Sequence, residues 1–172
     1  MNLNNTVMEK PTSPHHQIPD WVLSKMKSYC AFQERSIFEV KTKLKTFRLQ
    51  DEVYDAVINK LIEDDFLNEE RFSKAFAQGK LRINKWGRNK IFLALQQKKV
   101  PELFILEGLN EIDDDEYHKV LHDLLEKKAR ELSEVKDSTK VRKLINFALG
   151  RGFELQLARE VAAEIFGKDA DY

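Results

Sequence analysis

Apolar residues recur at three- and four-residue steps along almost the whole chain, the spacing that stacks side chains on one face of an α-helix. Ile37, Val40 and Leu44 form one such set, and Val53, Ala56, Val57 and Leu61 form the next. Phe72, Phe76, Gly79 and Ile83 make a third, expected to face a core; Leu144, Ala148 and Leu149 belong to a later one. Strand-like alternation is scarce, and beyond Pro19 the only proline is Pro101. That proline suits a first helical turn, where its missing N–H is harmless. Ser36 with Glu39, and Asp113 with Glu116, have the spacing of capping boxes, in which each side chain answers a free backbone donor of the other residue. The pattern predicts an all-α protein.

The apolar pattern also repeats. Displacing the chain by 51 residues and then by 53 aligns Val40 with Ile91 and Leu144, Leu44 with Leu95 and Ala148, and Leu49 with Val100 and Phe153. The register continues through Val53, Phe104 and Leu157 and ends at Leu61, Ile112 and Ile165. Gln50, Pro101 and Glu154 fall at the same helix start, whereas Gly108 opposite Val57 departs from the pattern. Three three-helix units are expected, at 19–66, 67–113 and 114–167. A tail at 1–18, polar enough to read as disordered, precedes them, and a short tail at 168–172 follows. Units this small bury little alone, so neighbours should stack into an elongated array.

Composition adds little to that picture and charge adds more. With 42% apolar and 34% charged residues the chain reads as folded. No apolar run reaches the roughly 18 residues of a membrane span and no signal-type segment follows the start, so a cytoplasmic location is expected. The single cysteine, Cys30, excludes an internal disulfide and a Cys-rich zinc site; among Tyr29, Ala31 and Phe32 it reads as a small buried hydrophobe. Net charge is zero, yet residues 1–100 carry 18 bases and 12 acids while residues 101–172 carry 11 bases and 17 acids. Seven bases and no acid lie between Lys80 and Lys99, and an acidic stretch follows from Glu102 to Glu126. Such halves suit a partner presenting both signs, or a basic face meeting an anion.

Candidate binding residues follow from helical spacing. Arg71, Lys74, Gln78, Arg82 and Lys85 step by three or four into one polar stripe turned away from Phe72 and Phe76, and Arg88 follows it. A second group is Lys41, Lys45 and Arg48, with Lys43 set apart; a third is Lys140, Arg142, Lys143 and Arg151. The first stripe could equally be a solvated helix face, and for the second and third groups a solvated face is the expected reading. Trp86 is expected to anchor a helix pair, with base stacking as the alternative, and Trp21 to lie in the core of the first unit. His118 and His122 are four apart with Asp114 and Asp115 a turn earlier; an exposed pair is the expected reading over a metal site. No glycine-rich phosphate loop and no nucleophile elbow occurs. No catalytic residue, metal or cofactor is therefore expected.

Three segments together resemble the RecX family. Arg35-Ser36-Ile37-Phe38-Glu39-Val40-Lys41-Thr42-Lys43-Leu44 is similar to that family's opening signature. Phe66-Leu67-Asn68-Glu69-Glu70-Arg71-Phe72 looks like its link between first and second repeats. Trp86-Gly87-Arg88-Asn89-Lys90-Ile91, with Leu95 and Lys98-Lys99-Val100, resembles its Gly-Pro-x-x-Ile…Leu…Lys-Gly-Ile segment. The likeness covers residues 20–167, with Arg88 in place of the usual proline and Lys99 in place of the usual glycine; Gly152 keeps the latter in the third repeat. The resemblance implies tandem helix-turn-helix-like repeats in a monomer that binds RecA–DNA filaments, restraining strand exchange, ATPase and coprotease activities. DNA is then a secondary contact. The alternative from the residues alone is an independent helix-turn-helix DNA binder, which a near-neutral pI of 6.9 disfavours.

Overall fold

The computed structural model describes residues 18–132 and 137–166. Residues 1–17 and 168–172, which carry the expected tails, lie outside the described residues. Among those described the fold is all-α: α1 Asp20–Phe32, α2 Ile37–Lys45, α3 Asp51–Glu63, α4 Glu69–Asn84, α5 Arg88–Gln97, α6 Glu102–Asn110, α7 Asp114–Glu131, α8 Asp137–Arg151 and α9 Leu155–Phe166.

Local chemistry sets the helix starts. Ser36 accepts from the Glu39 N–H and the Ser36 N–H donates back to the Glu39 carboxylate, both at 3.1 Å, so the expected capping box is present. Asn68 caps α4 by accepting from Arg71 N–H. Asp113 caps α7 by accepting from Glu116 N–H, but the Glu116 carboxylate turns to Arg82, so the second capping box is only half made. Pro101 stands one residue ahead of the first turn, as the N-cap of α6, and Gln50 occupies the matching place before α3. Glu154 immediately precedes α9, completing the repeated start.

The helix ends repeat as well. Arg48, Lys99 and Gly152, which share one position in the repeat, all adopt left-handed backbone, with φ of 54°, 60° and 91°. In the second and third units the next N–H, of Val100 and Phe153, reaches back to Leu95 and Ala148 carbonyls, the bond that closes a helix whose last residue is left-handed. Lys99 therefore keeps the glycine geometry without being glycine, at a backbone cost of about 1–2 kcal/mol. Its side chain is exposed. Lys99→Gly should accordingly raise stability by about 0.5–1 kcal/mol once the greater freedom of the unfolded glycine is subtracted, raising the melting temperature by about 2 °C. An unchanged or lower melting temperature would show that the turn is not strained.

Among the described residues two hydrophobic cores form. The first, around Val22, Met26, Val40, Leu44, Val57 and Leu61, belongs to α1–α3. The second runs continuously through α4–α9, from Phe72 and Leu81 to Leu121, Phe153 and Val161. Cys30 is buried in the first core, as expected, and burial pushes its thiol up to about 11, which keeps it protonated and unreactive.

Three apolar assignments made from spacing differ from the structure. Ile83 is 80% exposed because α4 buries a face rotated from the expected one, and Leu149 is exposed beside Leu144 and Ala148, which are buried as expected. On α4 the buried side runs through Ser73, Ala77 and Leu81. Small residues there let α6 approach so closely that a Cβ on Gly108 would stand 2.5 Å from Ser73 Oγ, which is why glycine interrupts the repeat at this position. Trp21 is half exposed rather than core, its ring meeting Phe47 edge-on at 5.4 Å.

Candidate functional site

The cations of the α4 stripe are already engaged within the chain. Arg71 Nε donates to Glu34, and its Nη1 and Nη2 donate to the Asp65 carboxylate and carbonyl. Lys74 lies 2.8 Å from both Glu70 and Glu111, which together hold its ammonium above the ordinary lysine range. Arg82 grips Glu116 of α7 through two parallel bonds of 2.7 and 2.9 Å, and the Glu116 carboxyl is lowered as a result. Lys85 leaves the stripe altogether: it ends α4 in left-handed backbone, with φ of 55°. Arg88 Nη2 bonds Asp114 at 2.6 Å while its guanidinium lies 4.1 Å from the Tyr117 ring centroid. Arg71, Arg82 and Arg88 thus join successive units, whereas both partners of Lys74 lie within the second.

The second group is freer. Lys41 pairs with Asp55 at 3.3 Å on the surface. Lys43 and Lys45 are exposed on α2, and Arg48 is exposed in the left-handed turn beyond it rather than on the helix, as spacing had suggested. None of these three makes an ion pair among the described residues. In the third group Arg142 and Lys143 are exposed, Lys140 lies 5.6 Å from the Phe166 ring, and Arg151 donates to the Asn84 carbonyl beside Phe147. Trp86 is partly buried against the second core, with the Lys80 and Lys90 ammonium groups each 5.0 Å from its ring.

Sequence reasoning missed the junctions between units, although the motif residues lie in them. Between the first and second units the contacts are polar. Glu69, 8% exposed, accepts from the Ile37 N–H at the start of α2; the Glu39 carboxylate meets Lys98 at 2.6 Å; Arg71 meets Glu34. Burial raises the Glu69 carboxyl, opposed by the Ile37 bond and reinforced by the nearby Glu39 charge. Between the second and third units the joint is tight and mostly apolar. Tyr117, 1% exposed, accepts from the Arg88 N–H at 2.8 Å, donates to Glu154 at 2.7 Å and packs on Phe153. The bond from Arg88 also explains the missing proline, which has no N–H to give. Gly87 and Asn89 N–H groups donate to Arg151 and Gly152 carbonyls, stitching the start of α5 to the end of α8.

His118 and His122 stack with centroids 6.5 Å apart and His118 Nε2 lies 3.2 Å from Glu164. Among the described residues there is no cluster of three or more His, Cys, Asp or Glu side chains that could hold a metal ion. No described helix is long and apolar enough to cross a membrane.

Among the described residues, nine helices in successive threes, joined end to end by side-chain and backbone contacts, define a tandem three-helix-repeat protein. Residues 68–109 match the RecX second three-helix domain, and residues 114–162 match the RecX third three-helix domain. The chain is 30% identical to regulatory protein RecX of Chlorobaculum tepidum over 77% of its own length and 80% of that protein's. It is 37% identical to regulatory protein RecX of Lactobacillus johnsonii, over 52% of this chain but only 33% of that one. The crystal structure of RecX from Lactobacillus salivarius superposes with a TM-score of 0.78 at 22% identity, covering 85% of this chain and 95% of that one. The protein belongs to the RecX family.

Proposed function

We propose that this protein is a non-enzymatic regulator that binds RecA–DNA filaments as a monomer. It restrains their recombinase, ATPase and coprotease activities in recombination and the SOS repair response. Membership of the RecX family across the second and third repeats carries this reading. Its repeats, set in series, offer contacts along an extended partner. The test is co-sedimentation with RecA filaments assembled on single-stranded DNA, beside naked DNA. Preferential recovery with filaments supports the reading. Equal recovery with naked duplex would favour the independent DNA binder.

Within that reading we take Lys43, Lys45 and Arg48 as the contact, a group of exposed cations on α2 and the turn after it that makes no ion pair among the described residues, whereas Arg71, Lys74 and Arg82 of α4 hold other parts of the chain. Replacing all three by Gln should weaken filament binding roughly tenfold, flatten its salt dependence and leave the circular dichroism spectrum unchanged. The same replacement of Arg71 and Arg82 should lower the melting temperature, because it breaks ion pairs that join units. If the α2 variant restrains RecA ATPase as well as the parent, the α2 surface is not the contact.

A further inference from the structure

Among the described residues, every substantial packing of one helix along another lies within α1–α3 or within α4–α9, and none crosses between the two sets. Each set closes its own core. Within α4–α9 the second and third units are locked together. There α4 packs on α7, Tyr117 and Phe153 share the core, and backbone bonds stitch the start of α5 to the end of α8. Bending at that joint would expose apolar surface, at a cost that grows with the area.

The joint between the first and second units is built differently. Leu67, 1% exposed, belongs to the first core, and the next residue, Asn68, is already the cap of α4. Rotation about this short link turns one body on the other and disturbs neither core. Polar contacts span the joint: Arg71 holds Glu34 and Asp65, Lys98 meets Glu39 at 2.6 Å, and Glu69 accepts from the Ile37 N–H at 2.8 Å. Two of those carboxylates are only half satisfied. Their second oxygens, Glu34 Oε2 and Glu69 Oε2, are buried without a protein donor and would gain water on separation. The joint also holds open space, because Gln33 and Glu39 share with Phe72, Phe76 and Lys98 the lining of a groove of about 610 Å³. Small polar interfaces leave domains free to move relative to one another, whereas large apolar ones do not. We infer that α1–α3 is a hinged arm, which turns as one body about Leu67–Asn68 against a rigid α4–α9 block and is latched by Arg71, Glu69 and Lys98. Turning the arm moves the exposed Lys43, Lys45 and Arg48 relative to the other two units, which changes the reach of that basic surface.

The test is the distance between two spin labels on the full chain, measured by pulsed electron spin resonance. Glu52→Cys with Gln96→Cys reads the arm against the block, and Gln96→Cys with Asn146→Cys reads the second unit against the third. All three positions are exposed, and Cys30 is buried and stays in place. Raising salt to about 1 M, where charges are screened within about 3 Å, should widen the first pair's distance distribution roughly twofold. Arg71→Gln/Lys98→Gln should widen it at low salt. The second pair should stay unchanged in both. Salt acts on the unaltered joint, so it decides the matter if the double variant misfolds. A first pair that answers neither to salt nor to the double variant would overturn the inference, and so would a second pair that widens equally. RecA and DNA are absent, so the outcome is separate from that of filament co-sedimentation.

Discussion

Gly87→Ala is expected to lower the melting temperature by roughly 6–12 °C, the equivalent of about 3 kcal/mol in a chain of this size. A Cβ on Gly87 would stand 2.3 Å from the Gly152 carbonyl carbon and oxygen and from the Phe153 nitrogen. All three are backbone atoms, so relief requires moving the end of α8 away from the start of α5. That movement would lengthen the bonds from Gly87 and Asn89 to the Arg151 and Gly152 carbonyls and disturb Phe153 in the shared core. Gly150→Ala is the control, since nothing lies within 4 Å of a Cβ there. Thermal melts in which both variants behave alike would mean that the second and third units are not locked together at this point.

Glu69 should show the second large effect, and its sign depends on the replacement. Glu69→Ala leaves the Ile37 N–H without its buried acceptor, a loss of about 1–3 kcal/mol. Glu69→Gln keeps an acceptor there and removes a desolvated charge. Because the folded carboxyl is raised above its ordinary value of 4.5, the folded protein holds that proton more tightly than the unfolded chain does. The resulting stabilisation is complete below the ordinary value and is lost as pH rises through the raised one. The parent should therefore fall behind Glu69→Gln on going from pH 4 to pH 7, while Glu69→Ala stays below Glu69→Gln throughout. Denaturant melts at the two pH values measure this. A parent that gained on Glu69→Gln as pH rose would show that the Ile37 bond outweighs burial.

The two junctions differ in kind, and that difference bears on how the repeats act together. The second and third units share one core, so bending between them would expose Tyr117 and Phe153 to water. The first unit has its own core and meets the second mainly through Glu69, Arg71 and the Glu39–Lys98 pair. Glu34 Oε2, Arg35 Nε and Glu69 Oε2 are among the buried side-chain atoms without a hydrogen-bond partner. Separation there exchanges polar contacts for water at a smaller cost than exposing apolar surface.

Helix class, the repeated starts and the buried Cys30 were legible in the residues, because each depends on contacts a few positions apart. The Ser36–Glu39 box and the apolar steps of α2 and α3 all close within one turn or one helix. The left-handed residue ending each second helix showed itself as a glycine only at Gly152, since Arg48 and Lys99 bear that geometry under tertiary constraint. The face of α4 was misread at Ile83 because periodicity gives the azimuth of a side chain but not which helix lies opposite. The role of the basic stripe was hidden for the same reason. Arg71 finds Glu34 across 37 residues of sequence, and Arg82 finds Glu116 across 34. By itself the sequence determined that this protein is a string of amphipathic three-helix repeats with a basic and an acidic half. Only the tertiary structure decided which cations bind other parts of the chain and which stay open. An ion pair depends on distance in space, and the packing of one repeat on the next sets that distance.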